Sequence, residues 1–289
     1  MTRCLDIFWS LGNSCNLDCH YCSWELKDGS NPFPEKDVLI PAYDHLIDQC
    51  GDFSLIRFDI TGGEVTQSTG LQHILENNKD PRIQFKIQSN GSAHVYWWKS
   101  IVRHLYHLEL TYHAGTSFDH FLQVVNAVSE HLRPKIYVAI LPDNWAIQQL
   151  IYEQLKSLGH DVSLQFLFSN YTKGNSQYYP YSQEQWNYYY REQGIDPTDK
   201  PVVEKTIEFK RANDLNNYYG HMCWAGVDQF VIDNFGNVWR GWCQADGILG
   251  NLYKRTFLLN KQPMPCPKRQ CRNGFDLRAK KSKGSWGFA

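Results

Sequence analysis

No apolar run in this sequence approaches the length of a bilayer span, which argues against a membrane-crossing helix. Neither sign of charge prevails. Lys and Arg number 29 against 30 Asp and Glu, so no global field draws in nucleic acid or a membrane surface. The first residues, Met1-Thr2-Arg3-Cys4-Leu5-Asp6, put an acid where a signal peptide needs an apolar core. A cytoplasmic, monomeric protein with no membrane partner is the expectation. Low-complexity tracts are missing too, as are internal repeats beyond a β-α alternation.

What is present suffices for a folded core. The chain has 289 residues, 42% of them hydrophobic, enough for one large domain with a small one appended. Short runs rich in Ile, Val, Leu and Phe at 5–9, 55–60, 83–88, 107–111, 135–141 and 162–168 read as buried parallel strands. Helical stretches lie between them, at 37–49, 71–78, 96–105, 118–131 and 144–158. Within the fourth, Phe121, Leu122, Val125, Val128 and Leu132 keep helical spacing. Six β-α units in a row predict an α/β fold, a parallel sheet wrapped by helices, with no strong seventh or eighth unit to close it.

After residue 168 the character changes. Tyr171, Tyr178, Tyr179, Tyr181, Tyr188, Tyr189 and Tyr190 crowd a polar stretch read as a cover for the barrel mouth, and Pro197 and Pro201 punctuate a linker. From Cys223 onward a small hairpin unit is expected, with strands at 228–233 and 237–241 around an Asn234-Phe235-Gly236 turn. The basic run from Arg278 to Lys283 reads as a mobile tail. The domains expected are 1–200 and 201–289.

Nine cysteines are an odd count, and in a reducing compartment such clusters suggest metal binding more than disulfides. Cys15, Cys19 and Cys22 follow the first strand in a C-x3-C-x2-C spacing. Three thiolates this close can hold three irons of a cubane and leave the fourth without a protein ligand, an open position of the kind catalysis needs. Zinc is the alternative. It wants a fourth ligand nearby, and the adjacent His20 cannot easily converge with both neighbouring cysteines.

That spacing, with Tyr21 before the last cysteine, resembles the signature of the radical S-adenosylmethionine (SAM) superfamily. The resemblance implies a partial (β/α)6 TIM-type barrel and a [4Fe–4S] cluster on Cys15, Cys19 and Cys22. It also assigns Thr61-Gly62-Gly63-Glu64, after the second strand, to the methionine amino group of SAM. Glycines let the backbone approach a ligand, and a carboxylate pairs with an ammonium. Val65 stands where the family usually has proline. Ser89-Asn90-Gly91 is similar to the turn that closes the family's third strand, and its polar groups are expected to face SAM. Tyr21 is expected beside the adenine. Tyr112 and His113, ending the fourth strand, are the candidate catalytic residues, with a structural role for the histidine as the alternative.

Cys223, Cys243, Cys266 and Cys271 are separated by 19, 22 and 4 intervening residues, unlike the two tight pairs of a zinc ribbon. With the hairpin among them they resemble the twitch domain, a shortened SPASM extension holding one auxiliary [4Fe–4S] cluster. The gap before the last pair is longer than usual, and no cysteine follows Cys271. Four thiolates would close that cluster to substrate and leave it electron transfer. The resemblance therefore implies two [4Fe–4S] clusters, SAM, and an external one-electron reductant of flavodoxin or ferredoxin type.

The substrate stays open between a ribosomally made peptide and a small molecule. A nucleic-acid base is the alternative, resting on the tyrosines, on Trp97, Trp98, Trp239 and Trp242, and on the basic tail. From another class, the chain could be a non-catalytic two-cluster electron carrier.

Overall fold

The computed structural model describes residues 3–22, 27–170, 177–196, 198, 215–271 and 273–283. Tyr171, Pro197, Pro201 and the expected boundary at residue 200 lie outside the described residues.

Strands and helices alternate as β1 (Cys4–Ser10), α1 (Lys36–Gln49), β2 (Leu55–Thr61), α2 (Thr69–Asn77), β3 (Ile83–Ser89), α3 (Val95–Ile101), β4 (Leu105–Tyr112), α4 (Phe118–Ser129), β5 (Lys135–Ile140), α5 (Trp145–Ser157) and β6 (Asp161–Phe166). Each strand runs parallel to the next, in sequence order. The chain thus forms the expected partial barrel of six β/α units.

The helix-facing side of the sheet carries the core. Leu5, Ile7 and Trp9 alternate inward along β1, and Trp9, Phe58 and Phe85 are almost wholly buried. Burying each such side chain stabilises the fold by about 1.5–3 kcal/mol. On α4, Phe121, Val124, Val125 and Val128 form one buried stripe. Ser117 starts that helix by accepting from His120 N, and Ser68 starts α2 by accepting from Leu71 N. The third helix is shorter than expected. It ends at Ile101 and passes through a 3-10 turn, so that Leu105 already begins β4.

Beyond β6 come a hairpin, β7 (Phe168–Asn170) and β8 (Gln177–Tyr178), and then α6 (Gln183–Glu192). The described part of the tyrosine-rich stretch, from Gln177 on, is therefore structured. Phe166 stacks on Tyr181 at 4.0 Å and packs against Trp186 and Tyr189, so these rings cover the β6 edge of the sheet.

The remainder holds β9 (Met222–Cys223), β10 (Gln229–Ile232), β11 (Asn237–Trp239), β12 (Ile248–Asn251), β13 (Met264–Pro265), α7 (Gly274–Arg278) and β14 (Lys281–Ser282). The expected hairpin is β10–β11. Asp233 builds its turn by accepting from Phe235 N and Asn237 N, and Gly236 completes it at φ +77°. This hairpin is not a free-standing sheet. β10 lies parallel to β1, in register from Asp6↔Gln229 to Trp9↔Ile232, and β11 and β12 extend the same nine-stranded sheet antiparallel.

The basic run is not the mobile tail expected of it. Lys281 and Ser282 pair with β9, and Lys281 Nζ donates to the carbonyls of Asp276 and Ala279 at the end of α7. Among the described residues no helix is long and apolar enough to cross a membrane.

Candidate functional site

Cys15, Cys19 and Cys22 follow β1 on one loop at the carboxyl ends of the strands. Leu11 N donates to Thr61 O at the loop's start, and the buried Asn13 side chain donates to Asp28 and Ser30. Hydrogen bonds from Ser30 and Asn13 hold the Asp28 carboxyl below its usual range. Lys27 donates to Cys19 O at 2.7 Å and pairs with Asp18, while Cys22 N donates to Cys19 O. All three thiols are free and half-buried. Cys15 Sγ accepts from Leu17 N at 3.4 Å and lies 3.9 Å from Asn90 Nδ2. Burial, then the charges of Cys19 and Cys15, push the Cys22 thiol up to about 11. Such thiols stay protonated when free and give up their protons to a metal.

The loop after β2 lies against this one. Gly63 N donates to Gly12 O at 2.9 Å, and Glu64 N to Ser14 O at 2.7 Å. A Cβ on Gly63 would stand 1.9 Å from Ser14 O, and one on Gly62 would stand 2.6 Å from Gly12 O. The two glycines are needed because the cysteine loop's backbone occupies the space of a side chain. Thr61, half-buried at the end of β2, pairs with Ser10.

Glu64 is only 1% exposed. Its Oε1 accepts from Ser89 Oγ at 2.8 Å and Thr66 N at 3.1 Å, and its Oε2 accepts from Asn90 N at 2.8 Å. Burial raises its pKa, and these hydrogen bonds oppose the rise. The carboxylate thus organises the turn after β3. Ser89 also accepts from Gly91 N. Asn90 Nδ2 donates to Asn16 Oδ1 at 3.0 Å, linking that turn to the cysteine loop. The structure therefore brings Cys15, Thr61, Gly62, Gly63, Glu64, Ser89 and Asn90 together.

Tyr21 and His113 meet at the same mouth. Their rings stack at 6.0 Å, and the Tyr21 hydroxyl lies 2.7 Å from Nδ1 of His113. Burial pulls His113 down to about 4, so the ring is neutral beside the phenol. A cavity of about 420 Å³ opens between Cys19, Tyr21, Ala114 and Asn144. Tyr112 does not join them. It is 4% exposed, packs edge-on against Phe118 and Phe121, and donates to Thr116 O on the helix side of the sheet. Tyr112, a candidate catalytic residue by sequence, thus sits in the core and away from the mouth.

Sequence reasoning missed the concave face. Arg57 donates to both carboxylate oxygens of Asp6, at 2.7 and 3.1 Å. Lys86, 8% exposed, lies 3.1 Å from Asp59 and 2.9 Å from Glu109, and Gln88 donates to Asp59. Burial lowers the Lys86 pKa, but the charges of Asp59 and Glu109 outweigh it and hold it above its usual value. Lys135 and Asp161 continue the band. The signal was a polar residue at alternate positions of otherwise apolar strands.

Cys223, Cys243, Cys266 and Cys271 also come together. Three are buried, and Cys223, Cys266, Ala225 and Ala279 form one small core. Burial is the main reason that Cys271 is pushed up to about 12 and Cys243 to about 11. The charge of Asp276 adds to both. Asp276, 3% exposed, accepts from Trp242 N at 2.9 Å and Cys243 N at 2.8 Å. Gly241 makes room for it, since a Cβ there would stand 2.6 Å from Asp276 Oδ1. Trp242 in turn meets Phe8 of β1 edge-on at 5.5 Å.

Both sets consist of free thiols, the donor type that iron–sulfur clusters take. Thiolates on one zinc each sit about 2.3 Å from it. Among the described residues, no three His, Cys, Asp or Glu side chains converge on such a single-ion site. A cube of irons spaces its thiolates more widely. The buried Asn216 amide, unpartnered among the described residues, is next to Cys271 and is one donor that cluster sulfur would satisfy.

No protein-family model matches the chain, and no curated protein matches it. Solved structures do. The structure of anSMEcpe with bound AdoMet superposes with a TM-score of 0.54 at 16% identity, covering 89% of this chain and 81% of that one. Streptococcus suis SuiB bound to S-adenosylmethionine gives 0.55 at 14% identity, covering 88% of this chain and 64% of SuiB. The fold is therefore that of the radical SAM enzymes.

Proposed function

We propose that this chain is a radical SAM enzyme with a twitch-type auxiliary cluster. The observation that carries the reading is the contact of two loops. A three-cysteine loop lies directly on Gly62 and Gly63, and Glu64 locks the turn after β3 beside it. When bound, the N-terminal [4Fe–4S] cluster supplies the electron that splits SAM into methionine and a 5′-deoxyadenosyl radical, which takes a hydrogen atom from substrate.

The chain's own residues do the rest. Cys15, Cys19 and Cys22 would hold the cluster by three thiolates, with SAM as its remaining partner. The Gly62–Gly63 backbone receives its ammonium, Glu64 fixes the loop beside it, and Asn90 holds the cysteine loop in place. Tyr21 and His113 wall the adenosine side. The concave face holds the substrate away from bulk water, which so reactive a radical requires. Cys223, Cys243, Cys266 and Cys271 would hold a second cluster, which would supply an electron acceptor for a net oxidation.

The substrate is a peptide or a small molecule. Less supported is a nucleic-acid base, since Trp98 and Tyr181 are buried rather than free to stack. A cytoplasmic flavodoxin- or ferredoxin-type donor is the reductant.

The test is anaerobic reconstitution with SAM and dithionite. About eight irons per chain and release of 5′-deoxyadenosine are expected, and Cys19→Ala is expected to abolish that release. Bound zinc, or unaltered SAM cleavage in the variant, would overturn the assignment. A two-cluster electron carrier would release no 5′-deoxyadenosine at all.

A further inference from the structure

Asn216 is 3% exposed, and its Nδ2 has no hydrogen-bond acceptor among the described residues. Its backbone is well placed: the carbonyl accepts from Cys271 N at 3.0 Å, which puts the residue directly beside the last of the four C-terminal cysteines. The other buried atoms of this kind are the indole nitrogens of Trp9 and Trp98 and the Tyr253 hydroxyl. Those belong to large rings packed in or against the barrel core, where apolar area drives their burial and Trp9 and Tyr253 lie within reach of one another. An asparagine has little apolar area to bury. An unmet buried amide costs about 1–3 kcal/mol, so its position calls for an acceptor. The described residues supply none, whereas the sulfurs of a cluster held by Cys223, Cys243, Cys266 and Cys271 would.

We infer that Asn216 donates a hydrogen bond from Nδ2 to a sulfur of the auxiliary cluster, and that this bond raises the cluster's reduction potential. The inference rests on the reading that the four cysteines hold a [4Fe–4S] cluster. Hydrogen bonds to sulfur are among the levers that set such potentials. A donor stabilises the reduced cluster, which carries more negative charge, more than the oxidised one. It therefore makes the cluster a better acceptor for an electron leaving the substrate.

Two variants of the full chain test this. Asn216→Leu keeps roughly the volume and removes the donor. Asn216→Asp keeps the shape and replaces the donor with an acceptor, which covers the case in which leucine does not fit. Each reconstituted protein is titrated potentiometrically and followed by electron paramagnetic resonance. Added SAM alters the N-terminal signal and so marks which signal belongs to which cluster. The expected result is a shift of the SAM-insensitive signal to more negative potential in both variants, with the N-terminal potential unmoved. A wild-type potential in both variants would overturn the role of Asn216 while leaving the second cluster standing. Wild-type protein with only about four irons would overturn the cluster reading, and this inference with it.

Discussion

Asp276 grips Cys243 through the backbone, its Oδ2 accepting from Cys243 N at 2.8 Å. Its other oxygen takes the N–H of Trp242, so one buried carboxylate fixes both a thiol and the indole that meets Phe8. An amide at this position turns one acceptor into a donor and sets it against a backbone N–H. Asp276→Asn is expected to loosen the C-terminal thiol set. Iron should fall from about eight toward about four per chain, with 5′-deoxyadenosine release retained. Iron analysis and product chromatography check this.

Gly63 is expected to tolerate no side chain. The Cβ of Gly63→Ala would fall 1.9 Å from Ser14 O, so one of the two loops must move. A displacement costing about 3 kcal/mol in the reacting geometry slows the reaction about a hundredfold. SAM cleavage measured at saturating SAM should drop by at least that much, while the C-terminal cluster's signal survives.

Lys86 neutralises two acids at once, and its side chain is 10% exposed. Lys86→Met would leave the buried Asp59 and the half-buried Glu109 without this cation. Breaking a buried pair from one side costs about 3–5 kcal/mol, to be read as a lower urea midpoint. Adding Asp59→Asn and Glu109→Gln should restore much of the loss, because the stranded charges go with it.

His113 sets a pH dependence. Its folded pKa is about 4 against an ordinary 6.5, so between those values the unfolded chain binds the proton and the folded chain does not. Stability therefore rises with pH through that window. The contribution is complete above about 6.5 and lost as the pH falls toward 4. His113→Gln should flatten this part of a plot of melting temperature against pH.

The six strands were legible because each is a short apolar run, and the first site because its residues crowd three short stretches. What escaped notice did so for identifiable reasons. The helix at Gln183–Glu192 carries a start signal, with Ser182 and Gln185 capping one another, but its tyrosines read as a surface cover. Lys281 looked like solvated charge until the carbonyls of α7 came within reach. Asp276 and Asn216 bear no local mark. Their meaning comes from partners far off in the sequence or next to a thiol, and no periodicity reports that.

β1 is flanked on both sides, by β2 and by β10, with Trp9 opposite Ile60 on one side and Ile232 on the other. The strand that launches the cysteine loop is therefore finished only by a segment from the far end of the sequence. During synthesis its outer edge must wait, bare and able to pair with strangers, until residues 229–232 leave the ribosome. A truncation upstream of them would leave an aggregation-prone remnant rather than a smaller working barrel.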